Sequence, residues 1–206
     1  MKWKVCGMRQ GDNIEELLAV GPDFMGLIFY PHSKRYVTEL AEGTRAHLAS
    51  TATQIVGVFV NERLEVILEK VAQYHLDYVQ LHGDEPVELG VALQSRSVKV
   101  IKVFRIADEL PSEALSEWEE AADLFLFDTK TDQYGGSGRH FDWGLLRAYA
   151  GTKPYLLSGG IGPDDLGTIA NLKLQGLAGV DVNSGYEVAP GVKNIQLIRE
   201  MKEVIC

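Results

Sequence analysis

The feature of the sequence that most constrains its fold is the repeated alternation of short apolar runs with longer amphipathic stretches. The apolar runs are rich in Val, Ile, Leu and aromatic residues, and they predict strands at residues 3–6, 24–30, 54–60, 78–81, 98–103, 124–128, 154–158 and 179–182. Stretches of helical periodicity lie between them, at residues 13–20, 62–74, 85–94, 163–174 and 194–205. Eight strand–helix units in 206 residues average about 26 residues each, the size of a minimal barrel unit.

Two architectures alternate strands and helices in this way, and the turn after the first strand helps to separate them. A doubly wound open sheet needs no particular number of units, but it usually carries a glycine-rich turn directly after its first strand. The turn Cys-Gly-Met-Arg at residues 6–9 lacks that pattern, and nothing in the sequence indicates a linker or a second domain. We therefore predict a single (β/α)8 TIM barrel over residues 1–206, with the open sheet as the alternative.

The charge balance limits the partners that the chain can bind. Lys and Arg number 20 against 29 Asp and Glu, which gives a formal net charge of -9. Such a chain has no basic field to hold nucleic acid or an anionic membrane, and we expect neither as a partner. A small anionic ligand would have to be held by a local site. The sequence leaves open whether the protein is a monomer or a homodimer.

Cysteine and histidine usage bears on redox compartment and metal binding. Cys6 and Cys206 lie at opposite ends of the chain and form neither a disulfide framework nor a CxxC metal site. The five histidines form no cluster with ligand spacing, so we expect no metal. The chain begins without the apolar run of a signal peptide, and no apolar stretch approaches membrane-spanning length. We therefore expect a cytoplasmic protein.

The strand ends carry the candidate acid and base. In barrels of this type the working side chains lie at the carboxyl ends of the strands. Cys6 ends the first strand on the same face as Lys4, and Asp128 ends the sixth. Strands one and six lie three steps apart in a closed barrel, so a thiol and a carboxyl would face each other as general base and general acid. The alternatives are a buried structural cysteine and an aspartate that caps a loop.

Glycine-rich segments follow the seventh and eighth strands, where barrels frequently bind phosphate. The sequence is Ser-Gly-Gly-Ile at residues 158–161 and Asn-Ser-Gly at residues 183–185. Glycine lets backbone N–H groups approach a phosphate closely, and helix N-termini add partial positive charge. The glycines could instead serve only as turn residues. The predicted phosphate-binding residues are Gly159, Gly160, Ser184 and Gly185.

Other candidate binding residues come from the remaining loops and strand ends. Arg35 could clamp a carboxylate with two hydrogen bonds, the alternative being a solvated charge beside Lys34. His82 directly follows the fourth predicted strand, and Asp181 lies in the eighth. The loop at residues 129–141 contains Gly136 and is long enough to act as a lid, or to be a plain surface loop.

Taken together, these segments resemble the motifs of the phosphoribosylanthranilate isomerase family. They occur in order from the first strand to the eighth, and so cover essentially the whole chain. The motifs are KVCGM at 4–8, GVFVN at 57–61, VQLHG at 79–83, FDT at 127–129, GGSG at 135–138, SGGI at 158–161 and VDVNSGYE at 180–187.

The resemblance implies a cofactor-free Amadori rearrangement in tryptophan biosynthesis, acting on a small phosphosugar. It implies that Asp128 protonates the furanose ring oxygen, that Cys6 removes the C2' proton as a thiolate, and that Arg35 holds the anthranilate carboxylate. A related isomerase of histidine biosynthesis carries an aspartate where Cys6 stands, so Cys6 implies the tryptophan-pathway substrate alone. The alternatives are another phosphosugar isomerase or epimerase and a phosphosugar-binding barrel without catalytic activity.

Overall fold

The strands form a closed parallel barrel. The computed structural model describes residues 1–130 and 141–205. Within these residues the strands pair in chain order, and β8 also pairs with β1, which closes the barrel. The prediction of a (β/α)8 barrel is therefore confirmed, and the open sheet is excluded. The strands are β1 (Lys2–Met8), β2 (Phe24–Ile28), β3 (Gln54–Phe59), β4 (Tyr78–Leu81), β5 (Lys99–Ile106), β6 (Leu124–Thr129), β7 (Tyr155–Leu157) and β8 (Leu177–Val182).

Helices connect the strands on the outside of the barrel. No helix in the described part of the chain is long and apolar enough to cross a membrane. Short 3-10 helices span Trp143–Ala148, Pro163–Asp165 and Ser184–Tyr186. The α-helices are α1 (Gly11–Val20), α2 (Glu42–Leu48), α3 (Leu64–Tyr74), α4 (Val87–Gln94), α5 (Ser112–Glu117), α6 (Leu166–Ala170) and α7 (Ile195–Ile205).

The structure corrects several predicted boundaries. The strand predicted at 24–30 ends at Ile28, and the helix predicted at 163–174 is a 3-10 turn followed by the short α6. Helices α2 and α5 were not predicted. The segment after β8 also contains an antiparallel hairpin, β9 (Glu187–Ala189) paired with β10 (Val192–Lys193), which the sequence pattern did not reveal.

Alternation along each strand sorts side chains between the barrel interior and the surrounding helical layer. In β6, Leu124 and Leu126 belong to a small interior cluster, while Phe125 and Phe127 belong to the larger core shared with the helices. Asp128 has the parity of Leu124 and Leu126, so it continues the inward-facing row at the carboxyl end of the strand. This alternation therefore places the Asp128 side chain at the mouth of the barrel.

Candidate active site

A cavity opens at the carboxyl ends of the strands. It has a volume of about 750 Å³, including space open to solvent. The cavity combines residues from loops and strands that are far apart in the sequence, because the barrel brings their carboxyl ends to one mouth. Most of the predicted site residues line it, namely Cys6, Arg35, His82, Asp128, Gly159, Gly160, Asp181 and Ser184.

Two predicted residues are not part of this lining. Gly136 lies outside the described residues. Gly185 is not among the residues that line the cavity. A Cβ on Gly185 would lie 2.6 Å from the carbonyl oxygen of Ile161, so this glycine allows the loops after β7 and β8 to pack closely.

Cys6 is buried in β1, two residues before the strand ends, in a space that β2 provides. A Cβ on Gly26 would lie 2.7 Å from Cys6 Sγ, so the thiol occupies room that only glycine leaves. Burial raises the pKa of the Cys6 thiol above its ordinary value, although the positive charges of Lys4 and Lys193 counteract that rise. Two positive neighbours that favour the thiolate are therefore present, but the effect of burial is larger and favours the thiol.

Lys4 and Asp181 form a buried ion pair beneath the thiol. Lys4 Nζ donates to Asp181 Oδ1 at 3.0 Å, and the two side chains are 0% and 6% exposed. Burial alone lowers the pKa of Lys4, but the Asp181 carboxylate and Cys6 more than offset this and leave it raised. Lys4 therefore both balances the inward Asp181 and lowers the pKa of Cys6.

Asp128 lies beside His82, the residue that directly follows β4. His82 Nε2 is 3.4 Å from Asp128 Oδ2, and each side chain is 15% exposed. The other ring nitrogen, Nδ1, is 3.2 Å from the amide nitrogen of Gln80, which lies two residues earlier, on β4. An amide donating to Nδ1 leaves the ring proton on Nε2, where it faces the aspartate. His82 thus contacts the candidate acid, and sequence reasoning did not assign a role to Gln80.

Arg35, in the loop after β2, is paired with a carboxylate of the hairpin after β8. Its Nε donates to Glu187 Oε1 at 2.8 Å and its Nη2 donates to Glu187 Oε2 at 2.6 Å. Lys193 Nζ donates to the same Glu187 at 2.6 Å and to Asn183 Oδ1 at 2.7 Å. Arg35 lines the cavity as predicted, but it is no solvated surface charge. Sequence reasoning did not identify Lys193, whose only local signal is the Pro-Gly turn at residues 190–191.

The loop after β7 has the backbone that a close approach to an anion requires. Gly159 and Gly160 have φ angles of 96° and 72°, a region that side chains disfavour. A Cβ on Gly159 would overlap Thr129 Oγ1, so this glycine also packs against the end of β6. Ser184 lines the cavity from the neighbouring loop after β8, at the start of a 3-10 helix.

A second buried ion pair supports the neighbouring loops from outside the barrel. Lys102 Nζ donates to Glu85 Oε2 at 2.7 Å and to the carbonyl oxygen of Gly83 at 2.8 Å. Glu85 Oε1 accepts from the backbone N–H groups of Asn61 and Gly83. The pair therefore fixes the loops after β3 and β4, next to His82. In the part of the chain that the structure describes, no three His, Cys, Asp or Glu side chains are grouped as metal ligands.

Comparison with known proteins gives consistent matches over nearly the whole chain. The family model described as N-(5'-phosphoribosyl)anthranilate (PRA) isomerase matches residues 3–204. The N-(5'-phosphoribosyl)anthranilate isomerase of Parabacteroides distasonis is 43% identical over 203 residues, which cover 98% of this chain and 92% of that protein. The similarity therefore extends over the full barrel.

Solved structures match with the same coverage. Phosphoribosyl anthranilate isomerase from Thermotoga maritima has a TM-score of 0.85 and 34% identity, and the match covers 100% of this chain and 98% of that one. A phosphoribosyl anthranilate isomerase in complex with reduced 1-(o-carboxyphenylamino)-1-deoxyribulose 5-phosphate has a TM-score of 0.82 and 30% identity, with the same two coverages. The structural match and the sequence match therefore both extend over nearly the whole chain and point to the same family.

Proposed function

The chain belongs to the phosphoribosylanthranilate isomerase family, and we propose that its cavity converts N-(5'-phosphoribosyl)anthranilate to 1-(2-carboxyphenylamino)-1-deoxyribulose 5-phosphate with Asp128 as acid and Cys6 as base. The reaction is the isomerisation of tryptophan biosynthesis. The observation that carries the residue assignment is that both side chains line one cavity from β6 and β1. A substrate bound in that cavity lies between a carboxyl and a thiol.

Asp128 performs the acid step. It gives its proton to the furanose ring oxygen while the bond from C1' to that oxygen breaks, and the anthranilate nitrogen lone pair forms a protonated imine with C1'. Asp128 is left as a carboxylate. The His82 Nε2 proton, 3.4 Å from Asp128 Oδ2, then faces the new negative charge, and the Gln80 amide keeps the ring in that orientation.

Cys6 performs the base step. The protonated imine acidifies the C2' proton, which the thiolate removes while the electron pair moves toward the imine to give an enolamine. The enolamine then tautomerises to the ketone. The ammonium groups of Lys4 and Lys193 lower the pKa of Cys6 against the effect of burial, and so supply the stabilisation that the thiolate requires.

Binding is divided between the two ends of the substrate. Arg35 holds the anthranilate carboxylate, and the backbone around Gly159, Gly160 and Ser184 holds the phosphate. The left-handed backbone at both glycines and the position of all four residues in the cavity lining support this division. Because Cys6 stands where the histidine-pathway isomerases carry an aspartate, the chain acts on the anthranilate substrate alone.

The test is the loss of anthranilate-derivative fluorescence on addition of the purified chain. Cys6→Ser and Asp128→Asn should each lower kcat by about 100-fold or more, the usual effect of losing a positioned proton-transfer group, with a far smaller change in KM. Asp142→Asn makes the same chemical change as Asp128→Asn outside the cavity lining and should keep wild-type kcat. Near-wild-type kcat in a cavity variant would remove that residue from the mechanism. Phosphate binding without turnover by the wild-type chain would instead indicate a non-catalytic barrel.

A further inference from the structure

Glu187 joins two distant parts of the chain at the edge of the cavity. It lies on β9 and accepts two hydrogen bonds from Arg35, one from Lys193 Nζ and one from the backbone N–H of Gly191 at 3.0 Å. Arg35 is 152 residues away in the sequence. The carboxylate therefore connects the β9–β10 hairpin to the loop after β2.

Its partners leave little room for another arrangement. The side chains of Glu187 and Lys193 are 6% and 0% exposed, and that of Arg35 is 13% exposed. A Cβ on Gly7 would lie 2.6 Å from Arg35 Cδ and 2.7 Å from Asn183 Oδ1, so the arginine packs directly against the residue that follows the catalytic cysteine. The arginine side chain therefore cannot shift toward β1 without a shift of the backbone at Gly7.

The hydrogen bonds also select which edge of the guanidinium remains for a ligand. Glu187 occupies the edge formed by Nε and Nη2. A guanidinium has a second edge, formed by Nη1 and the other Nη2 proton, which can bind another carboxylate through two parallel hydrogen bonds. Among the described residues, no acceptor is paired with Nη1. Two cations, Arg35 and Lys193, share one carboxylate here, which leaves a positive charge for an anion.

We propose that Glu187 is a positioning residue for substrate binding: it holds Arg35 by one edge so that the Nη1–Nη2 edge binds the substrate carboxylate. Lys193 and the Gly191 N–H fix Glu187 in turn. This inference rests on the proposed function, since it takes the anthranilate carboxylate as the ligand of Arg35. The competing explanation is that Glu187 only attaches the hairpin to the barrel.

Steady-state kinetics with Glu187→Gln separates the two explanations. KM for N-(5'-phosphoribosyl)anthranilate should rise by about tenfold or more, because a misplaced guanidinium loses charge-assisted hydrogen bonds to the carboxylate. Inhibition by inorganic phosphate should be unchanged, since phosphate binds at the glycine loops. In an Arg35→Met background the same Glu187 change should alter KM by less than about twofold, because the residue acts through the arginine. Equal effects of Glu187→Gln in both backgrounds would overturn the proposal.

Asn13→Ala is the matched control for attachment of the hairpin. Asn13 exchanges hydrogen bonds with the backbone N–H and carbonyl of Lys193 at 2.7 and 3.1 Å, and does not contact Arg35. The variant should lose stability while keeping wild-type KM. A rise in KM equal to that of Glu187→Gln would favour the attachment role and refute positioning.

Arg35→Lys provides a second variant in case Glu187→Gln fails to fold. A lysine ammonium can satisfy Glu187 but has no second planar edge, so KM should rise as much as in Arg35→Met. Near-wild-type KM in Arg35→Lys would refute the edge argument. If Arg35→Met itself left KM unchanged, the assignment of the carboxylate site in the proposed function would fail, which is a different result from failure of Glu187 positioning.

Discussion

The Glu187 cluster should make the stability of the protein depend on pH in a defined window. Burial alone would raise the pKa of Glu187, but hydrogen bonds from Arg35 and Lys193 outweigh it and lower the pKa from 4.5 to about 2. A carboxyl whose pKa is lower in the folded state stabilises the fold above its unfolded pKa, and that stabilisation is lost as the pH falls toward the folded pKa. The full difference corresponds to about 3 kcal/mol, at about 1.4 kcal/mol per pKa unit.

Urea unfolding of the wild type and of Glu187→Gln at several pH values measures this contribution. Above pH 5.5 the wild type should exceed the variant by a constant difference in the free energy of unfolding. That difference should shrink by about 1.4 kcal/mol between neutral pH and pH 3.5, and by about 2 kcal/mol at pH 3. Glu203→Gln, on the exposed part of α7, makes the same change of charge outside the cluster. A wild-type advantage over Glu187→Gln that did not change down to pH 3 would refute the reasoning.

Three further perturbations test the site. Arg35→Met should raise KM for the anthranilate substrate by about tenfold or more while leaving inhibition by inorganic phosphate unchanged; a parallel loss of phosphate inhibition would place Arg35 in the phosphate site. Gly160→Ala should weaken inhibition by inorganic phosphate. The control is Gly21→Ala, because Gly21 has a similar φ of 76° and no atom lies within 4 Å of an added Cβ. It should lower the free energy of unfolding by a similar amount and leave phosphate inhibition unchanged. Lys4→Met should lower the free energy of unfolding by about 3–5 kcal/mol, because Asp181 loses its buried partner. Adding Asp181→Leu to that variant should restore much of the lost stability. A loss under about 1 kcal/mol for Lys4→Met in urea unfolding would contradict the pairing.

The strands could be predicted from the sequence because both faces of a parallel barrel strand are buried. Such strands form short, nearly continuous apolar runs, and the run at 124–128 matches β6 to within one residue. The connecting helices were harder to predict. Helix α6 has 5 residues and α5 has 6, too few turns to establish a 3.6-residue period. The 163–174 prediction extended a helical pattern past the residue where the helix ends.

The residues of the candidate site also separate into those that could be predicted from the sequence and those that could not. Residues at strand ends, such as Cys6 and Asp128, could be placed because closure of the barrel brings those ends together whatever the loops do. The partner of Arg35 could not, because Glu187 meets it through a hairpin whose two short strands leave no clear alternation. Lys193 was missed for a related reason. A charged residue is expected to be exposed unless a buried counter-charge is known, and the counter-charge of Lys193 is Glu187, which only the hairpin brings near it.

The same cluster explains how a chain with a net charge of -9 can hold an anionic substrate. Charges on the outer surface act on the cavity through solvent, where salt screens them over about 8 Å at physiological ionic strength. Lys4, Arg35 and Lys193 act at contact distance and are buried or nearly so, whereas Asp181 and Glu187 are each engaged by one or two of these cations. With Asp128 protonated, as the proposed acid step requires, three cations face two carboxylates, which leaves a local positive excess beside Cys6. The acidic surface and the anion-binding cavity are therefore compatible, because the short buried interactions outweigh the screened distant ones.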